Sequence, residues 1–159
     1  MSLVRDDVER RLTELGIELP PTFAPVANYV PAVRVGSLVF VSGHGPTLDH
    51  GFAYQGKVDS AVSVEVAYQA ARLTALNCLS TLHAELGSLN HVNRVVKLLG
   101  FVNSDADFAR QPEVINGASD LLFDVFGRRG RHARSAIGVA ALPFDLPVEV
   151  ELVVEVRDT

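Results

Sequence analysis

The sequence predicts an α+β domain, with helices on one side of a mixed β-sheet. Two stretches with helical spacing, residues 63–86 and 112–126, carry the first part of that reading. Short valine-rich runs bounded by glycine and proline carry the second, because such runs suit strands and not helices. The third is their order, α, ββ, α, β, α, ββ, which gives one sheet with two helices packed on one face. Residues 1–24 read as an N-terminal helix and extended connector, and residues 25–159 as the α+β domain.

The 159-residue chain is long enough to bury a core. It is 48% hydrophobic and 21% charged, which is globular and not disordered. Mean hydropathy is positive despite those charges, so part of the apolar surface is expected to lie between subunits. The net charge is −5, from 19 acidic and 14 basic residues, which argues against a nucleic-acid partner. Cys78 is the single cysteine, so an intrachain disulfide and a cysteine-based zinc site are both excluded. The histidines show no metal-ligand spacing, and no phosphate-binding glycine loop occurs. No secretory or membrane-spanning stretch is legible, and a reducing, cytoplasmic setting is expected.

Taken in order, residues 4–15 form an amphipathic helix, because Val8, Leu12 and Leu15 fall on one stripe and Gly16 follows. Pro20, Pro21 and Pro25 then keep the chain extended. Residues 28–34 and 37–42 read as strands turning at Val35-Gly36, and residues 47–57 as a polar loop. Ser63 caps the long helix, whose apolar face runs through Tyr68, Ala71, Ala75, Leu79, Leu82 and Leu86 to a stop at Gly87. Cys78 lies mid-helix as a small core residue. Residues 92–102 follow as a strand, then a helix over 112–126, then strands at 135–141 and 148–156.

Two features in the last third suggest chemistry. Arg134 opens an almost wholly apolar strand, where a guanidinium calls for an anionic partner or ligand and its planar fork suits a carboxylate. In the final strand, Val148, Val150, Leu152, Val154 and Val156 face one way, and Glu149, Glu151, Val153 and Glu155 the other. If the last two strands pair, Glu149 shares a cavity wall with the Arg134 end and can orient a water or shuttle a proton. Arg128, Arg129, Glu151 and Glu155 read as solvated charges, while Arg131 and His132 stay open. His44, in a glycine-flanked turn at a strand end, has a structural and a functional reading, both open.

The segment Arg134-Ser135-Ala136-Ile137-Gly138-Val139-Ala140-Ala141-Leu142-Pro143 resembles the signature of the RidA family (reactive intermediate deaminase, also called YjgF), Arg-Ser-x-Val-x-Val-x-x-Leu-Pro. The Val148-Glu149-Val150-Glu151 strand follows at the family's distance. Asn28-Tyr29-Val30, Val39-Phe40-Val41-Ser42-Gly43 and Asn116 are similar to its other landmarks. The resemblance implies a chorismate-mutase-like fold and a homotrimer with ligand clefts between subunits. It implies hydrolysis of 2-imino or 2-enamino acids to 2-keto acids and ammonia, without metal or cofactor. Arg134 would clamp the substrate carboxylate and Glu149 would position water. Tyr29, Ser42, Gly43 and Asn116 would line the cleft, with Ala136 where the family often has a cysteine. Other departures are His44 in place of the family's glutamine, extra residues before Asn116, and the added N-terminal helix. Two further readings stand beside the deaminase. One is a non-catalytic trimer that binds a small carboxylate as a sensor or regulator. The other is the endoribonuclease or translation-inhibitor label that some L-PSP-like relatives carry.

Overall fold

The structure is a computed structural model and describes residues 7–49 and 51–157. Its strands are β1 Ala32–Val35, β2 Leu38–His44, β3 Thr47–Leu48, β4 Gly51–Phe52, β5 Val92–Asn103, β6 Ala133–Val139 and β7 Val148–Val156. Its α-helices are α1 Val8–Glu14, α2 Val64–Leu86 and α3 Gln111–Phe126. Five strands form one mixed sheet in the order β1-β2-β7-β5-β6. β6 is parallel to β5, and the other neighbours are antiparallel. This is the α+β layer predicted from the sequence, with α2 and α3 on one face of the sheet.

Local chemistry explains each boundary. Ser63 Oγ accepts from the Val66 amide at 3.2 Å, and Gly87 closes α2 in the left-handed region. Pro112 sits in the first turn of α3, where no amide is needed. The first strand starts later than its pattern suggests, at Ala32, because Pro31 has no amide to pair and offers only its carbonyl, to the Ser42 amide at 2.9 Å. The stretch read as a polar loop holds the short β3–β4 hairpin, closed with Asp49 at positive φ. The part of the expected first helix before Asp7 lies outside the described residues.

The core lies between the sheet and its helices. Leu79 and Leu82 of α2 and Ile115, Leu121 and Leu122 of α3 are fully buried against Leu98 and Val102 of β5 and Val150 and Leu152 of β7. β7 alternates buried and half-buried residues along its length, so the period-two pattern is realised. Cys78 is wholly buried there, as a core residue, and burial pushes its thiol pKa up. Val8 and Leu12 of α1 join the same core. Glu9 ties that helix down, accepting from Ser88 Oγ at 2.9 Å and the Leu89 amide at 2.8 Å.

The other face of the sheet carries no helix. Val33, Val35, Phe40 and Ile137 stand half exposed there, Val35 at 63%. Among the described residues no helix is long and apolar enough to cross a membrane.

The α2–α3 crossing depends on Gly117. A Cβ at that position would lie 2.0 Å from the Tyr68 carbonyl oxygen on α2, which is backbone and cannot step aside. Gly117→Ala is therefore expected to force the helices apart and cost about 1–3 kcal/mol. Thermal unfolding monitored by circular dichroism checks this; an unchanged melting temperature would contradict it.

Candidate functional site

The expected site residues fall into two clefts. The first opens at the sheet rim, where β1 has not yet begun and Gly43-His44 of β2 have no β1 residue paired with them, Ser42 being the last to meet that segment through the Pro31 carbonyl. β2 also shifts register against β7 between Val41 and His44. This irregularity turns Gly43 toward Glu149: a Cβ on Gly43 would sit 2.3 Å from Glu149 Oε1. Only glycine lets the carboxylate lie against the β2 backbone.

Tyr29, Ser42, Gly43 and Glu149 line this cavity of about 500 Å³, so four predicted residues do come together. Ser42 Oγ donates to the Val30 carbonyl at 2.7 Å and fixes the segment that carries Tyr29. Glu149 makes no hydrogen bond or ion pair with any described residue. Burial, reinforced by the neighbouring Glu151 charge, raises its carboxyl pKa above the ordinary value.

Sequence reasoning missed the α2 side of this cavity. His44 Nδ1 lies 2.6 Å from the Ser42 carbonyl and Nε2 lies 2.8 Å from Thr81 Oγ1. Nδ1 must donate to that carbonyl, and in the neutral imidazole that burial favours Nε2 accepts from the Thr81 hydroxyl. Burial lowers the His44 pKa, against the pull of the Ser42 carbonyl. Asn77 donates from Nδ2 to the Gly45 and Thr47 carbonyls at 2.9 and 3.0 Å, holding the loop after β2, while its Oδ1 is buried without a partner. Only the glycine-flanked turn around His44 hinted at any of this.

The second cleft lies between α3 and β6, and contains Arg134 and Asn116 with Ser119, Asp120, Phe123, Arg131 and His132. Arg134 donates from one terminal nitrogen to Asn116 Oδ1 at 2.8 Å and Ser119 Oγ at 3.1 Å, and from the other to the Pro112 carbonyl at 3.4 Å. All three acceptors are neutral. Arg134 has no ion pair among the described residues, and Asp120 is engaged by the Tyr68 hydroxyl at 2.8 Å. The guanidinium is thus oriented but not neutralised, as an anion-binding arginine must be. His132 backs this arrangement. Its Nδ1 lies 2.6 Å from the Gly130 carbonyl and its Nε2 lies 3.0 Å from Ser119 Oγ, which makes it a neutral acceptor for the serine. Burial and the Arg134 charge both lower its pKa, outweighing the Gly130 carbonyl. Arg131 lies over the Phe123 ring at 5.3 Å.

The expected wall shared by Arg134 and Glu149 within one chain is not found. β6 and β7 do not pair; each flanks β5, with Arg134 opposite Leu98 and Glu149 opposite Phe101. The two side chains also leave on opposite faces. Arg134 reaches up to α3, whereas Glu149 alternates with the buried Val148 and Val150. Ala136 packs partly buried against the core and lines neither cleft. Among the described residues no group of three or more His, Cys, Asp or Glu side chains is placed to hold a metal.

A mixed sheet with helices on one face and clefts at its rim defines the chorismate-mutase-like α+β class. Residues 9–156 match the family described as "YjgF/chorismate mutase-like, putative endoribonuclease". The chain belongs to that family. It is 47% identical to Protein TCP17 of Trypanosoma cruzi over 152 residues, covering 95% of each chain. A Shewanella oneidensis crystal structure described as a "putative endoribonuclease" is 34% identical, with a TM-score of 0.91 over 94% of this chain and 99% of that one. Escherichia coli TdcF, solved with bound serine, is 26% identical, with a TM-score of 0.59 over 88% of this chain and 94% of that one.

The shifted groups make stability depend on pH in opposite senses. His44 and His132 are held below the ordinary 6.5, so their stabilising contribution is present above that value and is lost as pH falls through the folded pKa. Glu149 is held above the ordinary 4.5, so its contribution is present below that value and is lost as pH rises through its folded pKa. Glu149→Gln should therefore melt at a higher temperature than wild type at neutral pH and at the same temperature near pH 4. Scanning calorimetry at both values checks this, and a lower melting temperature at neutral pH would contradict it.

Proposed function

We propose that this protein hydrolyses small 2-imino or 2-enamino acids to 2-keto acids and ammonia, without a cofactor, in a cleft completed by a second copy. The carrying observation is the division of labour between the clefts. One holds an arginine that is oriented and in no ion pair among the described residues, and the other holds a carboxylate with a raised pKa and no partner among them. Each is half of a site for a carboxylate-bearing electrophile. The half-exposed Val33, Val35, Phe40 and Ile137 on the helix-free face support association, and a homotrimer is the assembly that fits the family resemblance.

In the complete cleft Arg134 of one copy binds the substrate carboxylate, with Asn116 and Ser119 holding the fork in place. Glu149 of the next copy faces the imine carbon. Its carboxylate accepts a proton from water as the water oxygen bonds to that carbon. Glu149 returns that proton to the nitrogen, giving the neutral amino alcohol; it then takes the hydroxyl proton and passes it to the same nitrogen as the carbon–nitrogen bond breaks, so that ammonia leaves and the carbonyl forms. An enamine first gains a proton from water at its terminal carbon and loses one from nitrogen to the hydroxide left behind, which makes it the imine. The imine is already electrophilic, so orientation and proton transfer suffice. Tyr29, Ser42 and Gly43 shape the Glu149 wall.

A second reading, a non-catalytic binder of small carboxylates, is supported by the serine bound in TdcF, since binding needs only the Arg134 half. The endoribonuclease reading rests on the family description and the Shewanella structure. The acidic balance of the chain disfavours it.

Arg134→Lys keeps the charge but loses the fork, and should lower kcat/KM for enzymatically generated 2-aminoacrylate by about 100-fold or more. Ammonia release in a coupled assay measures it. Wild-type protein that binds pyruvate but releases no ammonia above the spontaneous rate would favour the binding reading.

A further inference from the structure

The Glu149 cavity is much larger than a three-carbon imino acid. Its charged groups are Glu149 and Glu151 and most of its other polar groups lie around the β2 turn and α2, while the wall formed by Phe52, Phe144, Leu146 and the Val26 segment is apolar. Phe52 and Phe144 stack there with ring centroids 4.8 Å apart and an interplanar angle of 27°. Phe144 is 51% exposed, a costly placement for a phenyl group unless something covers it. Backbone geometry holds it out: Phe144 has φ of 58°, a left-handed conformation unusual for a bulky residue. The loop is fixed there by Gln55 Nε2, which donates to the Phe144 carbonyl at 2.8 Å, and by the Gly56 amide, which donates to the Asp145 carbonyl at 2.7 Å. Leu146 of the same loop and the proline-flanked segment around Val26 complete the apolar wall.

We infer that this wall is a side-chain subsite, and that the preferred substrate carries an aromatic group in place of the hydrogens of 2-aminoacrylate. The inference rests on the deaminase reading for the head group. With the imine carbon at Glu149, the substrate's side chain extends into the same cavity, whose wall includes Phe144 and Leu146. A planar ring lying on the Phe52–Phe144 pair covers the exposed phenyl face and continues the stack. The strained backbone at Phe144 is then a device that presents the ring to a ligand. His44 and Thr81 satisfy each other, so they line the cavity without demanding a charged side chain.

Binding and turnover separate the two claims. Calorimetric titration with the keto acid products should show 3-phenylpyruvate bound about tenfold or more tightly than pyruvate, as burial of one aromatic side chain requires. Phe144→Ala and Phe52→Ala should each bring that ratio down toward one. Equal affinity for the two acids, or a ratio unmoved in both variants, overturns the subsite. Turnover is read with imines made by an amino-acid oxidase from phenylalanine and from alanine. Preference in binding without turnover of either imine keeps the subsite and overturns the deaminase reading. Turnover of both imines at equal kcat/KM, with equal product binding, keeps the deaminase reading and overturns the subsite.

Discussion

The position of β5 between β6 and β7 fixes where both candidate clefts lie. β5 pairs in parallel with β6 on one side and antiparallel with β7 on the other. The parallel pair follows from the crossover through α3, which returns the chain to the same end of the sheet. That topology puts Arg134 on the outer strand, under α3, and Glu149 on the far side of β5, facing away from the helices. An arginine and a glutamate only fifteen positions apart in sequence are thereby kept from neutralising each other. Had β6 and β7 been neighbours, the two charges could have closed into an ion pair, and neither would be available to a ligand.

The cost of that separation is carried locally. Glu149 is half-buried without a partner among the described residues, and its proton affinity rises accordingly. Gly43 allows the carboxylate to sit against backbone, and His44 and Asn77 hold the turn that places Gly43. Arg134 forms no ion pair among the described residues and is instead held by Asn116, Ser119 and, through Ser119, by His132, while Asp120 of the same cleft is engaged by Tyr68. On the proposed function, both halves are prepared polar groups whose partner would be a ligand, which is how a binding site differs from a structural salt bridge.

Much of the fold was legible in the sequence. β7 has two chemically distinct faces, so its period of two survives in the residue pattern. α2 carries its own cap, stop and apolar stripe. The neighbour order of the strands was not legible in the same way. Pairing of β5 with both later strands is a relation among segments far apart in the chain, and no local pattern records it. A strand, a helix and a strand in sequence do point to a parallel pair, and that signal lay in residues 92–139. The site was legible in part: Arg134 and Glu149 stand out as charges in apolar strands. The Thr81 contact of His44, the Phe52–Phe144 stack and the Ser119–His132 pair join residues whose local contexts look ordinary, so only folding reveals them.

The central claim is that one working site takes Arg134 from one copy and Glu149 from another. Mixing tests it directly. Arg134→Ala and Glu149→Gln proteins, each inactive alone, are unfolded together, refolded and assayed for imine hydrolysis. Random assembly of a closed ring leaves about a quarter of the clefts with both native residues, so activity should return to about a quarter of wild type. Mixed oligomers, verified by native mass spectrometry, that remain as inactive as their parents would place both residues in the same copy's site and contradict the account.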